Sequence, residues 1–182
     1  MTFKKVPARE PGTGRVHVII DTPAGSANKY KFDEEYGVFR VSRKLPDGMV
    51  FPYDFGSVPG TRAEDGDPLD VLVLGLTSTF PGCLVTARLI GVLHAYQREK
   101  GKRVRNDRFI AAAETPVNTS VWRSLADIPD SQLSDIQHFF ESYNAAQGRP
   151  FRISGHGNRR AAEQAVTRAV RAFAAAKRAH SR

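Results

Sequence analysis

The sequence predicts a mainly β protein with some α: a closed β-barrel or strongly curved sheet against which two C-terminal helices pack. Three observations carry that prediction. β-rich stretches divided by Gly, Pro and Asp turn clusters fill the first two thirds of the chain. Helical periodicity sets in only after residue 130. The 182 residues are 41% hydrophobic and 25% charged, enough for one sizeable core. No repeat or linker divides the chain, so residues 1–182 read as one domain, with 159–182 as its basic C-terminal helix.

Taken in order, residues 15–20 alternate polar and apolar side chains, and 36–41 are aromatic and β-branched, both strand patterns. Residues 71–76 (VLVLGL) form a continuous apolar run, as expected of a strand buried on both faces. Residues 84–93 (LVTARLIGVL) are another β-rich stretch, and 108–112 a shorter one. Turns fall at Pro23-Ala24-Gly25, Pro46-Asp47-Gly48, Pro59-Gly60, Asp65-Gly66-Asp67-Pro68 and Pro81-Gly82. Residues 100–108 (KGKRVRNDR) are polar and basic, as in a hairpin tip. Residues 130–144 carry Leu133, Ile136, Phe139, Phe140 and Tyr143 at helical spacing, with Asp130 or Ser131 as N-cap and Gly148 and Pro150 as the stop. A short strand is expected over 151–154. The helix over 158–180 is expected to bury Ala162, Ala165, Val166, Ala169, Val170 and Phe173 on one face.

Composition narrows the function. No apolar run approaches the length of a membrane helix, and residues 1–12 lack the apolar core of a secretory signal, so a cytoplasmic protein is expected. Cys83 is the single cysteine, which excludes an intramolecular disulfide framework and a Cys-based zinc site. The formal charge is +8, but residues 159–182 hold seven Lys/Arg against one acid, leaving 20 basic against 18 acidic residues elsewhere. The basic character belongs to the tail, so nucleic acid is not the expected partner. The five histidines show no zinc-hydrolase pairing, and neither a nucleophile elbow nor a Walker A loop is present.

The chemistry concentrates in Glu64-Asp65-Gly66-Asp67-Pro68-Leu69-Asp70, which runs directly into the apolar strand. Asp65, Asp67 and Asp70 lie close together, and close carboxylates resist joint ionisation unless a cation neutralises them. A hard divalent ion such as Mg²⁺, held by one or two carboxylates plus waters and phosphate oxygens, suits that need; an Asp-rich solvated turn is the plainer alternative. A cationic set precedes it: Lys29 and Lys31 around Tyr30, and Arg43 after a strand. Beside a divalent site, such groups suit a phosphate-bearing ligand; alone, they are ordinary edge-strand cations. Residues 52–61 form an aromatic, Gly/Pro-rich loop that either walls a pocket or packs on the core.

In this order, the pieces resemble a soluble family I inorganic pyrophosphatase, in a divergent form. The matching stretches are Pro23-Ala24-Gly25-Ser26 with Lys29-Tyr30, Arg43 with Met49 and Pro52, Asp65-Gly66-Asp67-Pro68-Leu69-Asp70-Val71, Pro81-Gly82, Ile90-Gly91-Val92-Leu93 and His138-Phe139-Phe140-Glu141-x-Tyr143. They cover most of the chain from Val16 onward. The resemblance implies an OB-like closed barrel with two flanking helices, Mg²⁺-dependent hydrolysis of inorganic diphosphate to two orthophosphates, and a homo-oligomer, a hexamer when bacterial. It implies metal binding by Asp65, Asp70 and Asp67, with Asp67 also the general base. It assigns Lys29, Arg43, Tyr143 and Arg108 to phosphate oxygens.

Several positions depart from the family pattern. Lys31 stands in place of a Glu, Phe55 in place of a Tyr, Asp21 in place of a Glu and Asn144 in place of a Lys. The second acidic cluster is reshaped: Asn106 aligns with a metal-binding Asp and Arg108 with a Lys, leaving Asp107 or Glu99 to supply a further metal carboxylate. Two functions follow. One is an active pyrophosphatase with fewer or weaker metal sites. The other is a catalytically impaired protein of the same fold that binds phosphate compounds or nucleic acid through its basic hairpin and tail. Retention of Asp67, which a binding protein has little use for, favours the enzyme.

Overall fold

A computed structural model describes residues 3–99, 101–115, 118–119 and 121–180. Met1 and Arg182 at the ends, and Lys100 of the expected hairpin tip, lie outside these residues. The strands are β1 (Val16–Thr22), β2 (Asn28–Asp33), β3 (Val38–Lys44), β4 (Asp54–Val58), β5 (Leu69–Leu74), β6 (Leu84–Glu99), β7 (Lys102–Arg105), β8 (Arg108–Thr115), β9 (Asn118–Thr119) and β10 (Phe151–Asn158). The helices are α1 (Asp130–Ala145) and α2 (Arg159–His180), with short 3-10 turns at Phe3–Lys5 and Leu125–Asp127.

The strands close on themselves. β1 pairs with β4, β4 with β5, β5 with β8, and β8 returns to β6, which also pairs with β1. All these ladders are antiparallel except β5–β8, which is parallel. A ring of this kind leaves no free edge among its members, which is what a barrel achieves. The long β6 then runs on to pair with β7 and β10 outside the ring. β2 and β3 form a separate hairpin.

Strand alternation divides the core in two. On β8, Phe109, Ala111 and Ala113 join one cluster while Ile110 and Ala112 join the other. The first cluster draws on every strand of the ring and takes Ala162, Val166 and Ala169 from α2. The second holds Phe51, Phe55, Leu72, Leu74 and Ile90 against Ile136, Phe140 and Tyr143 of α1. Both helices therefore cover the ring strands, as the sequence predicts.

The differences are local. Residues 52–61 are not a loop throughout, because β4 lies among them, with Phe55 buried in the cluster packed against α1. The signal is hidden by Gly56, which would read as a turn residue. It sits here because β1 and β4 approach so closely that a Cβ would stand 2.1 Å from the carbonyl oxygen of Ile19. β5 begins two residues earlier than the apolar run and takes in Asp70. Tyr36 belongs to the turn before β3, not to the strand. Within the expected tip, Lys102–Arg105 form β7 and pair with Tyr96–Glu99 of β6 as a hairpin arm. α1 is preceded by Pro129, with no side-chain cap from Asp130 or Ser131. Phe173, expected on the buried face of α2, is 41% exposed.

Candidate active site

The acidic turn is built from local bonds. The Asp67 amide donates to the Asp65 carboxylate at 3.1 Å, an Asx-type turn, and the Gly66 amide donates to the Ala63 carbonyl at 3.1 Å. Gly66 takes a φ of 92°, the left-handed region that a side chain disfavours. Thr61 clips the base of the loop: its buried hydroxyl donates to the Val58 carbonyl at 2.6 Å and accepts from the Leu69 amide at 3.0 Å. The turn is thus fixed where it joins β4 and β5.

Strand register then sets a row of polar groups across the barrel. Ser57 on β4 stands opposite Asp70 on β5, and the β5–β8 ladder pairs Val71 with Phe109, which brings Arg108 beside Asp70. Arg108 Nη1 lies 2.7 Å from Asp70 Oδ2. Asp21 on β1 accepts from Ser57 and feels the charge of Asp70. Burial, with Asp70 adding to it, pushes Asp21 up to about 7. Burial likewise raises Asp65, and the charges of Asp70 and Asp67 reinforce it. Acidic side chains crowded in this way call for positive charge.

The β2–β3 hairpin supplies some of it. Lys29 and Lys31 project from alternate positions of β2, and Arg43 pairs with Lys29 across the hairpin. Lys29 and Lys31 both act on Asp21, and Lys31 Nζ is 3.7 Å from Asp67 Oδ1. Lys29 Nζ also stands 5.2 Å from the ring centre of Phe55 and 6.0 Å from that of Tyr143. Tyr143 is almost wholly buried, stacked on Phe139 at 5.7 Å. Arg43 donates to the Gln147 side chain just beyond α1. Arg108 is 5% exposed, packed over Phe151 at 5.0 Å and bonded to the Asn106 side chain.

Lys29, Lys31, Arg108, Asp65, Asp67 and Asp70 are therefore linked in one charged assembly. Asp107 is engaged elsewhere: its oxygens accept from the Ala95 amide at 3.1 Å and from Arg105, and approach His94 Nδ1 at 3.2 Å. Those bonds tie β6, β7 and the start of β8 together, so this carboxylate serves the hairpin. The side chain of Glu99 lies outside the described residues. Sequence reasoning missed Ser57 and Gln147 as site partners. Neither carries a local signal, because strand register and the end of α1 bring them in. Among the described residues, no group of three or more His, Cys, Asp and Glu side chains is gathered closely enough to hold a metal ion by itself.

The inorganic pyrophosphatase family model matches residues 18–174. The chain belongs to the inorganic pyrophosphatase family. It is 35% identical over 167 residues to the inorganic pyrophosphatase of Thermus thermophilus, covering 90% of this chain and 93% of that protein. It is 38% identical over 156 residues to that of Synechocystis, covering 85% and 89%. The solved structure of the Thermus thermophilus inorganic pyrophosphatase superposes with a TM-score of 0.86 at 31% identity, covering 95% of this chain and 99% of that one. The Coxiella burnetii inorganic pyrophosphatase superposes with a TM-score of 0.82 at 32% identity, covering 92% and 99%.

Membership of the inorganic pyrophosphatases implies a divalent-metal cofactor, and the donor set fits one. Asp65, Asp67 and Asp70 offer hard carboxylate oxygens only, and burial, reinforced by the charges of Asp70 and Asp67, raises the pKa of Asp65, so a bound cation would favour its ionised form. A small hard ion that takes one or two carboxylates and fills its shell with waters and phosphate oxygens needs no protein cage. Among the described residues, no helix is long and apolar enough to cross a membrane.

Proposed function

We propose that the protein hydrolyses inorganic diphosphate to two orthophosphates, with Mg²⁺ as its divalent ion. The observation that carries this reading is the meeting of the Asp65/Asp67/Asp70 turn with Lys29, Lys31 and Arg108 in one assembly. A ligand that satisfies both sets binds a metal through some oxygens and cationic side chains through others, which is the chemistry of a phosphoanhydride. The names of the relatives point the same way.

Asp65 and Asp70 would hold the ion, whose chemistry is to neutralise phosphate charge and to make water easier to deprotonate. Asp67, the most exposed carboxylate of the turn, takes the proton of the attacking water as general base. Water oxygen bonds to one phosphorus, the bridging P–O bond breaks, and its electron pair leaves with the second orthophosphate. Lys29, Arg43 and Arg108 orient the oxygens and offset that departing charge, and Tyr143 walls the phosphate pocket beside Lys29. Arg108 is poised for this, since Asp70, Asn106 and three aromatic rings already fix its guanidinium. The protein works in the cytoplasm as a homo-oligomer, a hexamer by family resemblance.

One observation favours a second reading. Lys31 pairs with the proposed general base, as suits a protein that binds phosphate compounds without cleaving them. The deciding experiment is orthophosphate release from diphosphate by purified protein across a Mg²⁺ titration with a chelator control. Metal-dependent turnover is expected. Absence of turnover with Mg²⁺, Mn²⁺, Co²⁺ and Zn²⁺ in a folded sample would establish the binding reading instead.

A further inference from the structure

We propose that a cluster of arginines at the opposite end of β8 from the acidic turn is a second anion site, one that takes orthophosphate. It does not depend on the hydrolysis reading. A cavity of about 250 Å³ opens there, lined by Arg15, Arg88, Glu114, Arg159 and Glu163 among others. Four separate parts of the chain build it: the segment before β1, the first third of β6, the end of β8 and the start of α2. Arg108 begins β8 and Glu114 lies six residues on, so the two sites are about 20 Å apart along the strand.

Charge is not balanced within this cluster. The nearly buried Glu114 carboxylate is shared between Arg88 at 2.6 Å and Arg15. Glu163 is shared between Arg9 at 2.7 Å and Arg159 at 3.9 Å. Arg15 also approaches Glu10 at 3.9 Å. Arg123 acts on Arg88 as well and is itself offset by Asp127, so among the described residues five guanidinium groups stand against four carboxylates. Arg88, only 9% exposed, is the most confined of them. Burial lowers its pKa, and Arg123, Arg159 and Arg15 lower it further. Confined cations that repel one another are costly unless an anion joins them.

The start of α2 shows the same excess. Its first turn carries Arg159 and Arg160 and no acid, whereas a helix N-terminus favours negative charge. This surplus positive charge beside a helix N-terminus suits an orthophosphate anion, and guanidinium forks match its oxygens in pairs. The cavity has room for that ion with a few waters.

The test is calorimetric titration of orthophosphate into the full-length protein in low salt with chelator, so that metal-assisted binding at the acidic turn is silent. Arg159→Gln and Arg15→Gln report on the arginine cluster, each first checked for an unchanged melting curve. Arg43→Gln reports on the other site. The proposal expects wild-type binding that weakens on the order of tenfold in Arg159→Gln or Arg15→Gln and persists in Arg43→Gln. Absence of binding by the wild type would overturn it. So would binding lost in Arg43→Gln and retained in both cluster variants.

Discussion

Asp67 and Lys31 form an exposed pair, with about two thirds of each side chain open to solvent at a separation of 3.7 Å. Pairs of this kind contribute about 0–1 kcal/mol, too little to withhold Asp67 from a water molecule. The pair therefore weighs lightly against catalysis. Asp67→Asn is expected to lower kcat by about 10²- to 10⁴-fold while leaving the denaturation midpoint near the wild-type value, measured by orthophosphate release and urea unfolding. Unchanged turnover would remove Asp67 from the role of base. Asp127 provides a pH prediction. Its carboxylate accepts from the Arg123 and Ser124 amides, which hold its pKa below the ordinary 3.8. Its stabilising contribution is therefore complete above pH 3.8 and disappears as pH falls through the lower folded value. Asp127→Asn should flatten the stability profile in that acidic window, read from melting temperature against pH.

At the scale of elements, α2 is the clearest case. Its Ala162, Val166 and Ala169 stripe enters the ring-strand core, and the Ala169 carbonyl accepts from the Arg62 amide at 3.1 Å. That bond ties the helix to the chain leading into the acidic turn. Val166→Ala removes two fully buried methyl groups and is expected to cost about 2–3 kcal/mol, seen as a lower melting temperature. Phe173→Ala, at a position half open to solvent, should cost distinctly less. Equal losses would show that the helix packs through a different face. Deleting residues 159–182 should do more than remove surface charge, because it opens the core beneath.

Across the whole molecule, metal binding and stability are linked. An ion that binds the folded acidic turn and not the unfolded chain stabilises the fold by about 2.7 kcal/mol at a hundredfold excess over its dissociation constant. For a chain of this length, that is about 5–10 °C in melting temperature. Mg²⁺ against chelator should show the shift in the wild type, and Asp65→Asn should lose most of it. A shift of the same size in Asp65→Asn would place the ion elsewhere.

Local chemistry was legible without the fold. The spacing of Asp65, Asp67 and Asp70, the apolar run after them and the 3.6-residue periodicity of α1 and α2 are properties of neighbours in the chain, and side-chain type and spacing suffice to read them. The same information supported a closed β architecture with two late helices. What tertiary structure decided lies between elements. Register carried Ser57 and Asp21 to Asp70, and the parallel β5–β8 ladder put Arg108 against that carboxylate. Gly56 became a strand residue because two backbones approach within the space of a methyl group. Asp107 was drawn to Arg105 and His94 by the hairpin, and the arginines around Glu114 met from four distant segments. Apart from the contact of Asp107 with Arg105, two residues away, these are long-range pairings, set by strand order and register, which no pattern along the chain encodes.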